Sequence, residues 1–273
     1  MFRRIATVFT RFVTLAAALP SLALAQGPSM AVPGAGARLI KDARAEPVSI
    51  VLVHGAFANG SGWGKLIPLL EKDGHRVIAV QNAMSSVAAD VDNTKRVIES
   101  QPGPVVVVAH SYGGAVMTGA AAGISKVKAL VYVAAFAPDA GEPLGAFLEK
   151  YPSALAPALR PDAGGFVYID REQFRNVFAG DVPSAEARLM SITQVPIHGA
   201  AFAASVPNAA WRTIPSWFLI AQQDRTLNPD MLRFYAKRMG AKVTEIKSSH
   251  VAFLSHPTDV ARIIGEAARS TPR

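Results

Sequence analysis

From residue 48 onward the chain alternates short apolar runs with stretches whose apolar residues recur every three or four positions. Residues 48–53, 76–80, 105–108, 127–135, 216–221 and 242–246 read as strands, and the four consecutive valines at 105–108 show no polar alternation. A β-branched run of that kind suits a strand buried on both faces, as in the middle of a parallel sheet. A helix is expected over 61–72, where Trp63, Leu66, Ile67, Leu69 and Leu70 supply the apolar residues and Gly74 closes the segment. Further helices are expected over 87–100, stopped by Gln101-Pro102-Gly103-Pro104, and over 115–122, 229–239 and 257–269. Strands alternating with helices predict an α/β fold, a mostly parallel central sheet with helices on both faces. Residues 138–207 break the rhythm: they are dense in Pro and Ala, with short helical pieces near 143–151, 171–178 and 185–192. So long an excursion between two sheet strands predicts an inserted cap over the strand ends.

The amino terminus has another texture. Arg3, Arg4 and Arg11 make a basic start, residues 12–24 are apolar apart from Thr14, Pro20 and Ser21, and Ala23-Leu24-Ala25 places small residues at a cleavage site. Residues 1–25 therefore read as a secretory signal peptide cut after Ala25, which implies a periplasmic or secreted protein with no stable membrane anchor. An uncleaved span is the alternative, but the apolar core is short and Pro20 interrupts it. Residues 26–47, rich in Pro, Gly and Ala, are expected to be a loose leader into one domain, 48–273. A chain of 273 residues, half of them hydrophobic, suits one such domain of the larger kind.

The formal charge of +8 shrinks when residues 1–25 are removed, to 25 basic against 20 acidic side chains, scattered with no long run of one sign. That argues against nucleic acid as a partner. The chain has no cysteine, so an exported fold must be held by packing alone, and thiol nucleophiles and thiolate metal sites are excluded. His75, His198 and His256 lack ligand spacing, and Gly113-Gly114 lacks the context of a phosphate cradle. Neither a metal nor a cofactor is expected.

The candidate chemistry begins at Pro104–Ala115, which reads PVVVVAHSYGGA. A serine between a buried strand and an apolar, small-residue helix, flanked at plus two by Gly113, has the form of a nucleophile elbow, although Ala109 stands where glycine is usual at minus two. The plain alternative is a glycine-rich turn with an incidental serine. Serine attacks a carbonyl at neutral pH only when an imidazole takes its proton and an acid orients that imidazole. Strand ends supply both: His250 follows the last strand, and Asp224 follows the strand at 216–221, with Asp139 as a rival acid. The order Ser111, Asp224, His250 is that of hydrolases built on such sheets. His54-Gly55-Ala56-Phe57 ends the first strand, and the N–H groups of Ala56 and Tyr112 are the expected oxyanion donors, with Phe57 as the fallback. His54 reads as a structural hydrogen-bonder, His110 as packing under the elbow, and Trp211 as packing or pocket lining.

With these stretches in view, HGAFANGSGWGKLIPLLEKDGHRVIAV, VVVVAHSYGGAV and AQQDRTLNPDMLRFYAKRMGAKVTEIKSSHVAFLSHP, the chain resembles the α/β-hydrolase superfamily. Within it the chain is most similar to the small serine esterases grouped with plant methyl esterases, hydroxynitrile lyases and their bacterial relatives, over roughly residues 48–268. The resemblance implies Ser111 as nucleophile, His250 as base, Asp224 as orienting acid, and a small-molecule carboxylic ester as substrate. Hydroxynitrile lyases of the group carry a hydroxyl residue after the first-loop histidine and a lysine after the catalytic histidine, where this chain has Gly55 and Val251. Dehalogenases of the superfamily place an aspartate at the elbow, where this chain has Ser111. Ester hydrolysis is thus the expectation. A cofactor-free lyase and a non-catalytic binder of small apolar ligands are the alternatives.

Overall fold

The computed structural model describes residues 47–271, so the expected signal peptide 1–25, its cleavage site and residues 26–46 of the expected leader lie outside the described residues. Six parallel strands form the central sheet: β1 Ser49–Val53, β2 Arg76–Ala79, β3 Val105–Ser111, β4 Val127–Ala135, β8 Ser216–Ala221 and β9 Lys242–Ile246. Their order is β2-β1-β3-β4-β8-β9, with Val53 beside Ala109 and Ser111 beside Ala135. All five residues of β1 and all seven of β3 are buried, while β2 and β9 at the edges are partly exposed. The uninterrupted valines of β3 follow from that position, since both its faces meet helices rather than water.

The helices between these strands are α1 Ile67–Lys72, α2 Val87–Ser100, α3 Tyr112–Ala120 and α8 Pro229–Met239, and α9 Ala252–Ser255 and α10 Pro257–Arg269 follow the last strand. Ser86 caps α2 by accepting the Ala89 N–H, and Asn228 caps α8 through the Asp230 N–H. The single helix expected over 61–72 is two pieces, a 3₁₀ turn at Gly60–Lys65 and then α1. Three glycines in the first half weaken helix there, and Pro68 in the first turn of α1 has no N–H to bond back to it.

The segment between β4 and β8 contains α4 Leu144–Lys150, α5 Leu155–Ala158, α6 Arg171–Phe178 and α7 Ser184–Thr193. It also holds an antiparallel sheet of β5 Leu159–Pro161, β6 Phe166–Ile169 and β7 Ile197–His198. That small sheet is absent from the sequence expectation, because strands of three, four and two residues are too short to show alternation. Among the described residues no helix is long and apolar enough to cross a membrane.

Candidate active site

β3 ends at Ser111 and α3 begins at Tyr112 with no intervening residue. The turn leaves Ser111 at φ 53° and ψ −126°, a conformation that non-glycine residues adopt only where the surroundings enforce it. Close packing under the turn explains its glycines. A Cβ on Gly113 would lie 2.5 Å from the His54 carbonyl oxygen, and one on Gly55 would lie 2.7 Å from the Ser111 Cβ. Ala109 is fully buried between Val53 and Tyr132 of the neighbouring strands, so the methyl at minus two is accommodated. Tyr112 is the first residue of α3, where N–H groups have no intrahelical acceptor and the helix dipole favours negative charge.

The acid and the imidazole meet across 26 residues. His250 Nδ1 lies 2.6 Å from Asp224 Oδ2, and both side chains are fully buried. The other carboxylate oxygen, Oδ1, accepts the N–H groups of Thr226 at 2.8 Å and Leu227 at 2.9 Å. A carboxylate so placed takes the Nδ1 proton as its hydrogen bond, leaving the Nε2 lone pair free. Nε2 is buried and has no hydrogen-bond partner among the described residues, so no bond to the Ser111 hydroxyl is formed in this state. The His250 backbone is nonetheless pinned next to the serine. His110 Nε2, on the residue before Ser111, donates to the His250 carbonyl at 3.0 Å, and the two rings are 4.4 Å apart.

Asp139, the rival acid, belongs elsewhere. It pairs with Arg212 and accepts the Ala140 N–H, and the Arg212 hydrogen bond holds its carboxyl below the usual range. Phe57 is also removed from the expected oxyanion donors: its N–H donates to the Val195 carbonyl at 3.0 Å. The Ala56 N–H has no acceptor among the described residues and remains available. Trp211 donates its indole N–H to Pro138 O at 2.9 Å, with Arg212 and Arg238 at its ring, and so serves packing.

His54 donates from Nδ1 to the Gly55 carbonyl and accepts the Asn82 N–H at Nε2, which holds it as one neutral tautomer. Burial lowers its pKa, and burial beside His250 and His54 drives that of His110 well below the imidazole range. Two contributors escaped the sequence reading. Asp90 on α2 accepts the Tyr112 hydroxyl at 2.9 Å, and Phe178 on α6 places its ring 5.1 Å from that of His250. Asp90 left a trace, since it is an acid on the buried Val87, Thr94, Ile98 face of α2. Nothing in the local pattern marks Phe178. Nearby, an open cleft of about 290 Å³ is bounded by Phe57, Asn59, Lys65, Leu189, Met190 and Leu254. Among the described residues no three His, Asp or Glu side chains cluster as a metal site would require.

A parallel sheet with a serine on a strained strand-to-helix turn and an Asp–His pair at later strand ends defines the α/β-hydrolase class. The family model described as "Alpha/beta hydrolase family" matches residues 50–263, and the chain belongs to that family. Among curated relatives it is 34% identical over 132 residues to a carbendazim hydrolyzing esterase of Nocardioides sp. (strain SG-4G), a match covering 43% of this chain and 53% of that protein. It is 38% identical over 116 residues to an alpha-hydroxynitrile lyase of Arabidopsis thaliana, covering 37% of this chain and 45% of that protein. The chain thus spans about half the length of each. Among solved structures it is similar to a pyrethroid hydrolase from Sphingobium faniae JZ-2, with TM-score 0.70, 23% identity, and 82% of this chain and 98% of that one covered. That likeness is one of fold.

Proposed function

We propose that this α/β hydrolase cleaves small-molecule carboxylic esters through an acyl-enzyme, with Ser111 as nucleophile, His250 as base and Asp224 as orienting acid. The observation that carries the reading is the buried Asp224–His250 pair, with Nε2 free and the His250 carbonyl bonded to His110, the residue next to Ser111. Approach of the Ser111 hydroxyl and Nε2 to bonding distance on substrate binding completes the relay, since such bonds are often long without substrate. Ser111 attacks the carbonyl carbon as its proton passes to Nε2. The oxyanion that forms is held by the N–H groups of Ala56 and Tyr112, each worth roughly 3–4 kcal/mol of barrier. The imidazolium then protonates the departing alcohol, and His250 activates a water that releases the acid. Export to the periplasm or beyond, with cleavage after Ala25, is part of the same proposal and is supported by the leader pattern.

The lyase reading has a relative in its favour, but the residue after His250 is Val251, fully buried and uncharged, so no cation stands there to hold cyanide. Ser111→Ala should abolish p-nitrophenyl ester turnover and fluorophosphonate labelling while far-UV circular dichroism stays unchanged. Undiminished turnover by that variant would sink the proposal. Aldehyde release from a cyanohydrin without ester cleavage would transfer it to the lyase class.

A further inference from the structure

The turn after α6 reaches the loop that carries His250. The Asp181 carboxylate accepts the Ser249 hydroxyl through Oδ1 and the Ser249 N–H through Oδ2, the latter at 2.8 Å, and Ser249 directly precedes His250. The backbones approach closely enough that a Cβ on Gly180 would stand 3.9 Å from that of Ser249. The end of α6 grips the acid loop as well. Thr226 Oγ1 donates to Val177 O at 2.8 Å, and Arg225 donates to Asn176 Oδ1 at 2.7 Å. Residues 176–181 of the insertion therefore hold both loops that present the acid–imidazole pair. His256 Nδ1 lies 3.9 Å from Asp181 Oδ2 while bonded to the Ser255 hydroxyl, and Arg175 reaches the adjacent Val182 carbonyl. Burial pushes the Asp181 carboxyl up, but hydrogen bonds from Ser249 and Ser255 outweigh it and hold the group below its ordinary value.

We propose that Asp181 is a positioning residue for His250: by clamping Ser249 it sets where the imidazole stands against Ser111, and so makes the seating of the insertion a condition of base function. The inference rests on the triad reading above. A carboxylate taking both the N–H and the O–H of one residue fixes that residue in two directions with charge-assisted bonds. Released, the loop can carry His250 by a fraction of an ångström or more, and a 1 Å misplacement costs about 10²-fold in rate.

The experiment measures p-nitrophenyl acetate kinetics and fluorophosphonate labelling rates for the wild-type protein, Asp181→Ala, Asp181→Asn and Ser249→Ala. Asp181→Ala should lower kcat about 10- to 100-fold with little change in KM, and labelling should slow in proportion. Asp181→Asn keeps an acceptor for the Ser249 N–H and offers a donor to its hydroxyl, so it should return to within about 5-fold of wild type. Ser249→Ala, which keeps only the N–H bond, should fall between. An Asp181→Ala protein that turns over and labels like wild type overturns the inference, as does a loss that Asp181→Asn shares in full. If Asp181→Ala does not fold, Ser249→Ala decides, and an unchanged kcat there overturns it. When wild type labels and the variants label equally, this inference alone falls. A wild type that neither labels nor hydrolyses removes the triad reading and this inference with it.

Discussion

Asp224 has its two oxygens committed differently, and that asymmetry predicts what a single atom change does. Oδ1 accepts two backbone N–H groups, from Thr226 and Leu227, while Oδ2 faces His250 Nδ1. In Asp224→Asn the amide oxygen must occupy the Oδ1 place, because an NH₂ there would oppose two donors. The NH₂ then faces Nδ1, forces the ring proton onto Nε2 and removes the base lone pair. On the proposed mechanism kcat for p-nitrophenyl acetate should drop by roughly 10⁴ at nearly unchanged stability. A loss under about ten-fold would show that the imidazole's tautomer does not limit the reaction.

At the scale of elements, the elbow helix is tied to its neighbour by a buried pair. Tyr112 opens α3, and its hydroxyl donates to Asp90 of α2, whose other oxygen accepts the Met84 N–H at 3.3 Å. Burial raises the Asp90 pKa, and burial and the neighbouring Asp90 raise that of Tyr112, which keeps the phenol neutral and the donor of the pair. Tyr112→Phe strips one donor from a buried acid and should cost about 1–3 kcal/mol of stability, read from urea denaturation. The Tyr112 N–H stays, so any fall in kcat should be smaller than that of Asp224→Asn. A variant as stable as wild type would mean that α2 and α3 are held by apolar packing alone.

The chain has no cysteine, and its described residues rest on a continuous core of aliphatic strands and aromatic helix faces. Below neutrality its pH response combines histidines that fold in the neutral form with Asp90, whose raised pKa works in the opposite direction. His54, His75 and His110 all have pKa values lowered by burial. A lowered folded value means that below about pH 6.5 the unfolded chain binds protons the fold refuses. Stability from this source is complete above that pH and is lost as pH falls toward the folded values. Each fully buried histidine can remove up to about 1.4 kcal/mol per pH unit, with His75 contributing less because it is more exposed. Urea midpoints should therefore stay level from pH 7.5 to about 6.5 and fall from there to pH 5. Midpoints that hold or rise over that lower range would contradict the burial of His54 and His110.

Much of this was legible locally. The all-valine core of β3, the strand–helix alternation and the small residues around Ser111 announce themselves over a few positions, because β-branched runs and turn glycines act through their own backbone. The order Ser111, Asp224, His250 could be read as well, since each follows a recognisable strand. Tertiary structure alone decided which acid meets the imidazole, Asp224 at 2.6 Å while Asp139 pairs with Arg212, and it alone withdrew Phe57 by giving its N–H to Val195. It also split the helix expected over 61–72, assembled β5, β6 and β7, and joined Asp181 to Ser249 across 68 positions. Contacts of that kind leave no period or spacing in the chain, because their partners are chosen by how the insertion lies on the strand ends rather than by any neighbour in sequence.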